Sequence, residues 1–123
     1  MRAISKGQRT FIAGCSDSRP WSTARGSWPS EVAAKHVLLV FQSGATENDV
    51  IDARGMIPGH NGRGRLHLAL SIDAADLEAW RARLGERGIA VEGEYRWPRG
   101  GTSLYFRDPD GALVELATPG LWW

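Results

Sequence analysis

The chain is poor in cysteine, in net charge and in long apolar runs, and each shortage excludes a class of protein. Its one cysteine, Cys15, rules out an intrachain disulfide and suits a reducing cytoplasm. A formal net charge of +1 on 123 residues gives no electrostatic basis for binding nucleic acid or an anionic membrane. No apolar run approaches the roughly 20 residues that span a bilayer, and residues 1–6 lack the apolar core of a secretory signal. We therefore expect a cytoplasmic protein without nucleic-acid or membrane partners.

Regular patterning is also missing from the first quarter of the chain. Residues 1–30 mix Arg, Ser, Pro, Gly and Trp without helical or strand periodicity, and residues 10–13 are their one modest strand candidate. Periodicity begins at Glu31, and the apolar run at 37–41 predicts a strand buried on both faces. Residues 43–63 are a polar, glycine-rich connection. At about twenty residues this connection is long for a compact domain, so we expect it to be either functional or mobile.

From Gly64 onward the sequence predicts a strand, a helix and three further strands. Residues 65–72 alternate leucine or isoleucine with polar or small residues, so one face is apolar and the other carries His67, Ala69 and Ser71. Asp73 is a plausible N-cap of the helix, and Gly88 is a natural stop. The helix is expected to bury a stripe at helical spacing formed by Leu77, Trp80 and Leu84. Further strands are predicted to start at residue 89 and to cover 102–107 and 112–117, with a turn at 108–111.

Two side chains on these strands have the chemistry of metal ligands. His67 lies opposite the leucines of its strand, and Glu115 lies opposite its two neighbours on the last strand. If both strands line one concave surface, the imidazole and the carboxylate converge there. Such a pair suits a divalent metal such as Zn, Mn, Fe, Ni or Co. On the residues alone, however, a lone His and a lone Glu are more often paired or solvated, so both interpretations stay open.

The stretch from residue 36 to 122 carries a family resemblance. It contains, in order, LHLALSI, RLGERGI and WPRGGTSLYFRDPDGALVELATPGLW. These motifs resemble the vicinal-oxygen-chelate superfamily of glyoxalases, bleomycin-resistance proteins and extradiol dioxygenases. The resemblance implies an α+β fold of paired βαβββ modules around a divalent metal, which chelates neighbouring oxygens of a small-molecule substrate. It also implies one domain over 1–123, in which 1–30 is an atypical leader, 31–63 a remnant of the first module and 64–123 a complete second module.

The same resemblance assigns roles to individual residues. His67 corresponds to the metal-ligating histidine of the second module's first strand, and Glu115 to the metal-ligating and catalytic carboxylate of its last strand. Tyr105 is a further catalytic candidate through contact with substrate, although half-buried sheet packing explains it equally well. The first module departs from the pattern, because residues 37–41 offer no Asp or Glu. His36 and Gln42, which flank that strand, would substitute only weakly.

A shifted reading frame is one explanation of the unpatterned start. Reading the codons of residues 1–30 two bases later permits a peptide of the form DLERSxxFYRRVLGL, which resembles the first helix of the family's first module. On this hypothesis residues 1–30 are an out-of-frame leader and are poorly ordered. The alternative is an authentic, divergent N-terminus. A first module without its first strand and helix leaves a sheet edge uncovered, so we expect a homodimer, strand exchange or poor solubility.

Three functions remain open at this point. The first is metal-dependent isomerase, lyase, dioxygenase or thiol-transferase chemistry on a small oxygen-rich molecule. The second is a metal-free protein that binds or sequesters a small molecule or drug in the same cup. The third is an inactive, truncated product of a functional gene. The fold supports many chemistries and does not choose among them.

Overall fold

The computed structural model describes residues 27–33 and 36–122, so the strand candidate at 10–13 lies outside the described residues. Contacts divide the chain between Gly64 and Arg65 into two compact units, called here the N-terminal and the C-terminal unit. The described residues form eight strands and one α-helix, which confirms the predicted α+β class. The elements are β1 (Ser27–Ala33), β2 (His36–Phe41), β3 (Val50–Asp52), β4 (Gly55–Ile57), β5 (His67–Ser71), α1 (Leu77–Glu86), β6 (Gly93–Arg96), β7 (Thr102–Arg107) and β8 (Leu113–Ala117).

The C-terminal unit contains a four-stranded sheet in the order β5-β8-β7-β6. β5 and β8 run parallel, whereas β8 with β7 and β7 with β6 pair antiparallel. Parallel neighbours need a long crossover, and α1, β6 and β7 all lie between β5 and β8 in the sequence. The result is the βαβββ order expected from Gly64 onward. Among the described residues, no helix has both the length and the apolar character needed to cross a bilayer.

Strand alternation gives the two central strands of this sheet one apolar and one polar face. The apolar core consists of one helical residue and four residues from one face of β7 and β8: Leu84, Leu104, Phe106, Val114 and Leu116. The residues between them, Ser103, Tyr105 and Glu115, point to the opposite face. A slip of one residue would exchange the two faces, so burial of the core fixes the register. The same register therefore decides which polar side chains meet on the other face.

The helix follows the predicted limits closely. A short 3₁₀ turn, Ala74–Asp76, precedes α1, and Asp73 has the extended backbone of an N-cap but makes no capping side-chain hydrogen bond. Of the predicted buried stripe, Leu84 is buried at 1% exposure, whereas Leu77 and Trp80 are only half-buried. Gly88 ends the helix with φ of 67°, a left-handed conformation that glycine adopts without strain.

The prediction that a strand starts at residue 89 is wrong, because β6 begins only at Gly93. The N–H of Ile89 instead donates to the carbonyl of Leu84, 2.9 Å away, and so satisfies an acceptor of the last helical turn. Ile89 therefore belongs to the helix end and not to the sheet.

The turn predicted at 108–111 is confirmed. The Asp108 carboxylate accepts hydrogen bonds from the N–H groups of Asp110 and Ala112, at 2.9 and 2.8 Å. Gly111 takes a φ of 85°, which a residue with a side chain rarely adopts. The turn returns the chain directly into β8 and thereby places Glu115 opposite Tyr105.

In the N-terminal unit, β1 and β2 form an antiparallel pair, with Ser27 opposite Phe41. Residues 27–30 of the expected leader over 1–30 lie in β1, and residues 1–26 lie outside the described part, so the leader stays a prediction. The expectation that 37–41 is buried on both faces is wrong, since Leu39 is 50% and Phe41 38% exposed. Within the described residues β2 has only β1 as a sheet neighbour, so the pair cannot cover both of its own faces.

The long connection at 43–63 contains a small hairpin that the sequence analysis missed. β3 and β4 pair antiparallel with Ile51 opposite Met56, and all six residues of the hairpin are exposed. The Asp52 carboxylate accepts hydrogen bonds from the backbone and the guanidinium of Arg54. These bonds lower the pKa of Asp52. The apolar pairs on either side of this turn were the available signal, but each strand has only three residues.

Candidate metal centre

β5 and β8 bring an imidazole and a carboxylate together on the sheet face opposite the core. Glu115 pairs with Ala69 in the parallel ladder, so His67, two residues earlier, lies diagonal to it. The distance from His67 Nε2 to Glu115 Oε2 is 3.1 Å. The imidazole side chain is 48% exposed and the carboxylate only 8%. The structure therefore places both candidate ligands at one point, with Glu115 on the floor and His67 at the rim.

The two oxygens of Glu115 have different surroundings. Oε1 accepts a hydrogen bond from the Ser103 hydroxyl at 2.6 Å and one from the Tyr105 hydroxyl at 3.1 Å. Oε2 faces His67. Because buried carboxylates need such partners, the two hydroxyls stabilise an otherwise costly burial and fix the orientation of the group. One oxygen is thus held by the protein while the other points toward the imidazole.

An open cleft of about 550 Å³ lies in front of this pair. His67, Tyr105 and Glu115 line it, and they are the only titratable groups among its described lining residues. Its remaining surface is mainly apolar and includes Trp97, which follows β6. Leu121 and Trp122, at the C-terminal end of the described chain, also line this cleft. Trp123 itself lies outside the described residues.

The model of the Glyoxalase/Bleomycin resistance protein/Dioxygenase superfamily matches residues 22–116. The chain belongs to this superfamily. The match confirms the resemblance inferred from the motifs. It starts at residue 22, upstream of residue 36, where the stretch with the family resemblance begins.

Individual relatives and structures agree with this assignment. The metallothiol transferase FosB of Shouchella clausii (strain KSM-K16) is 44% identical over 54 residues, which are 42% of this chain and 37% of that protein. The chain thus spans little more than a third of the length of the curated relatives that it matches. The crystal structure of lactoylglutathione lyase from Agrobacterium tumefaciens superimposes with a TM-score of 0.80 and 28% identity, covering 94% of this chain and 86% of that one. The fosfomycin resistance protein FosX from Mesorhizobium loti shares the fold, with a TM-score of 0.59 at 21% identity over 96% and 92% of the two chains.

The donor set of this superfamily member fits part of a divalent-metal site. Two ligand atoms about 2.1 Å from one zinc ion in tetrahedral geometry are about 3.4 Å apart, and His67 Nε2 lies 3.1 Å from Glu115 Oε2, which is close to that separation. Within residues 27–33 and 36–122, however, no group of three His, Cys, Asp or Glu side chains is arranged to hold a metal. His36 and Gln42 belong to the N-terminal unit. The described residues therefore bring together two candidate ligands, and their ligand role stays a prediction.

Two residues around the carboxylate were not among the candidates of the sequence analysis. Ser103 is fully buried and binds Glu115, and its hydroxyl accepts a hydrogen bond from the indole N–H of Trp97 at 2.9 Å. Ser103 carried a usable signal, because it shares a strand face with Tyr105. Trp97 lies beyond the end of β6, so no periodicity points to it.

Tyr105 is half-buried beside the Glu115 carboxylate, and both conditions change the pKa of its hydroxyl. Burial raises the pKa of the Tyr105 hydroxyl above its ordinary value, and the hydrogen bond and negative charge of Glu115 raise it further, against an opposing effect of Ser103. The hydroxyl is therefore protonated at neutral pH and donates to Glu115. Its role as a substrate contact stays a prediction.

We expect Glu115→Gln to lower the pKa of Tyr105 part of the way toward its ordinary value, because burial persists while the carboxylate charge is lost. The chain has two tyrosines, so Tyr95→Phe leaves Tyr105 as the only one. The alkaline absorbance change of tyrosinate, followed in Tyr95→Phe with and without Glu115→Gln, measures the shift. An unchanged midpoint would mean that the two groups do not interact in solution.

Proposed function

We propose that His67 and Glu115 are two ligands of a divalent-metal site at which a small oxygen-bearing molecule is bound and transformed. The observation that carries this proposal is the 3.1 Å approach of Nε2 to Oε2 inside an open cleft. A bound divalent metal would supply a Lewis acid that polarises oxygens of the substrate. The reaction classes favoured are those of a lyase or a thiol transferase, since relatives carry the names lactoylglutathione lyase and metallothiol transferase.

The protein's own residues have separate tasks in this proposal. His67 and Glu115 would hold the ion, and Ser103 and Tyr105 orient Glu115 by donating to Oε1. Trp97 and Trp122 form an aromatic wall on the substrate side of the cleft, against which a bound molecule would pack. Tyr105 also lines the cleft and is the candidate for direct contact with substrate.

Completion of the metal site requires ligands beyond the two described. Structural and catalytic zinc sites use at least three protein ligands, and other divalent metals take more donors. We infer that the missing donors come from a second copy of the chain in a homodimer. A two-ligand site alone would bind metal weakly, so the affinity and the stoichiometry report directly on this point.

The metal titration is the experiment that tests the proposal. The full chain is stripped with a chelator and titrated with Zn²⁺, Mn²⁺, Co²⁺ and Ni²⁺, and bound metal is counted after gel filtration, which also gives the oligomeric state. We expect saturable binding at a fixed ratio of ions to chains, lost in His67→Ala. Absence of saturable binding by the folded protein would contradict the proposal.

A metal-free binding protein is the second candidate, because the cleft surface is mostly apolar and aromatic. In that case small aromatic molecules would bind the chelator-treated protein as tightly as the untreated one, and His67→Ala would leave their affinity unchanged. Binding that requires metal would instead favour the first proposal.

A further inference from the structure

Three side chains form a continuous line of hydrogen bonds from the cleft wall to the carboxylate. The indole Nε1 of Trp97 lies 2.9 Å from Ser103 Oγ, and Ser103 Oγ lies 2.6 Å from Glu115 Oε1. The backbone holds the start of this line in place, because the N–H of Trp97 donates to the carbonyl of Gly101 and its carbonyl accepts from the N–H of Gly100. Trp97 is therefore anchored at the loop that joins β6 to β7.

Elementary hydrogen-bond chemistry fixes the direction of the protons along this line. An indole N–H is a donor only, so Ser103 Oγ must accept from Trp97. The Ser103 hydroxyl has a single proton, which it donates to Glu115 Oε1 at 2.6 Å. Ser103 is 0% exposed, so its hydroxyl has protein partners and no solvent, and the neighbouring Tyr105 hydroxyl is a further partner. Along the line from Trp97 through Ser103, each donor points toward Glu115.

We propose that Trp97 and Ser103 are positioning residues that set the orientation of Glu115 and couple the aromatic wall of the cleft to the metal site. The Ser103 proton, together with that of Tyr105, occupies Oε1 and leaves Oε2 facing His67, where the two side chains would hold a divalent ion. The ring of Trp97 also lines the cleft. A bound molecule that displaces this ring would therefore change the orientation of the carboxylate through the Ser103 hydroxyl. This inference rests on the proposed function, in which Glu115 is a metal ligand.

Two readouts separate the line of hydrogen bonds from the metal site. In the metal-free protein, the indole N–H resonance of Trp97, assigned by its loss in Trp97→Phe, reports the bond to Ser103. Hydrogen bonds in a chain polarise one another, and a charged acceptor strengthens them. We expect Ser103→Ala to move this resonance strongly, and Glu115→Gln to move it in the same direction by less. The resonance of Trp80, on the helix, is the internal control and should stay in place.

Zn²⁺ titration then tests the positioning role. Outer partners of metal ligands typically contribute about 10- to 100-fold to metal affinity. We expect Ser103→Ala to lower Zn²⁺ affinity about tenfold or more and Ser103→Thr, which keeps the hydroxyl, to restore it. Trp97→Phe, which keeps an aromatic ring and removes the N–H, should lower the affinity by a smaller factor, and the matched change Trp80→Phe should leave it unaltered. In the unmodified protein, Zn²⁺ should shift the Trp97 resonance, and Ser103→Ala should abolish that shift.

The outcomes that overturn the inference are distinct from failure of the metal proposal. If the Trp97 resonance ignores both Ser103→Ala and Glu115→Gln, the line does not exist in solution. If the line exists but Trp97→Phe lowers Zn²⁺ affinity no more than Trp80→Phe, Trp97 is structural only. If no Zn²⁺ binds although the resonance responds as expected, the metal site fails, and with it the coupling to metal, while the positioning of Glu115 stands. Trp97→Phe leaves Ser103 intact, so it carries the test even where Ser103→Ala does not fold.

Discussion

If Glu115 is a metal ligand, as proposed, we expect Glu115→Gln to lower the affinity for divalent metal by about 100-fold or more, which corresponds to about 2.8 kcal/mol. The reason is that the substitution removes the negative charge at the one oxygen that faces His67. The amide oxygen still accepts from Ser103 and Tyr105, so the change is confined to the ligand and leaves the sheet intact. Competition between the protein and a chromophoric chelator for Zn²⁺ measures the effect.

The matched control for this substitution is Glu92→Gln. Glu92 is an exposed carboxylate that pairs with Arg107 outside the cleft lining, so its loss removes the same charge at a different place. His67→Ala should reproduce the loss seen for Glu115→Gln. Equal metal affinities for Glu115→Gln and Glu92→Gln would show that the carboxylate on the cleft floor is not a ligand.

Leu104→Ala destabilises the C-terminal unit by about 2–5 kcal/mol. Leu104 is 0% exposed in a central strand, and its removal leaves a cavity beneath the sheet that carries the site. Denaturant unfolding followed by circular dichroism and tryptophan fluorescence gives the change in the free energy of unfolding. Leu104→Met, which conserves volume, should cost less than about 1.5 kcal/mol, and this variant remains measurable where the alanine variant unfolds outright.

The same leucine-to-alanine change at Leu66 serves as the control. Leu66 precedes β5 in the same unit and is 54% exposed, so its side chain loses little burial when truncated. A loss at Leu66→Ala as large as that at Leu104→Ala would mean that the sheet face assigned to the core is not the one that stabilises the unit.

The sequence was sufficient for the C-terminal unit wherever a local rule applied. Alternation located β7 and β8, a glycine with positive φ marked the helix end at Gly88, and Asp108 with Gly111 marked the turn. It failed where the signal was short or where the helix and the sheet competed for one segment. Ile89 was assigned to a strand because its neighbourhood is apolar, yet its N–H completes the helix end. The exposed hairpin of β3 and β4 was missed because strands of three residues have almost no period.

For the candidate site, the sequence determined which residue types are present and which strand face each one takes. Alternation along a strand depends only on neighbours, so it placed His67, Tyr105 and Glu115 on their strand faces. The family resemblance then selected them as site candidates. Only the tertiary structure decided that the parallel pairing of β5 with β8 brings Nε2 within 3.1 Å of Oε2. It also decided that Trp97, which has no periodic signal, reaches the carboxylate through Ser103. Contacts between strands distant in sequence depend on sheet order and register, and no local pattern contains that information.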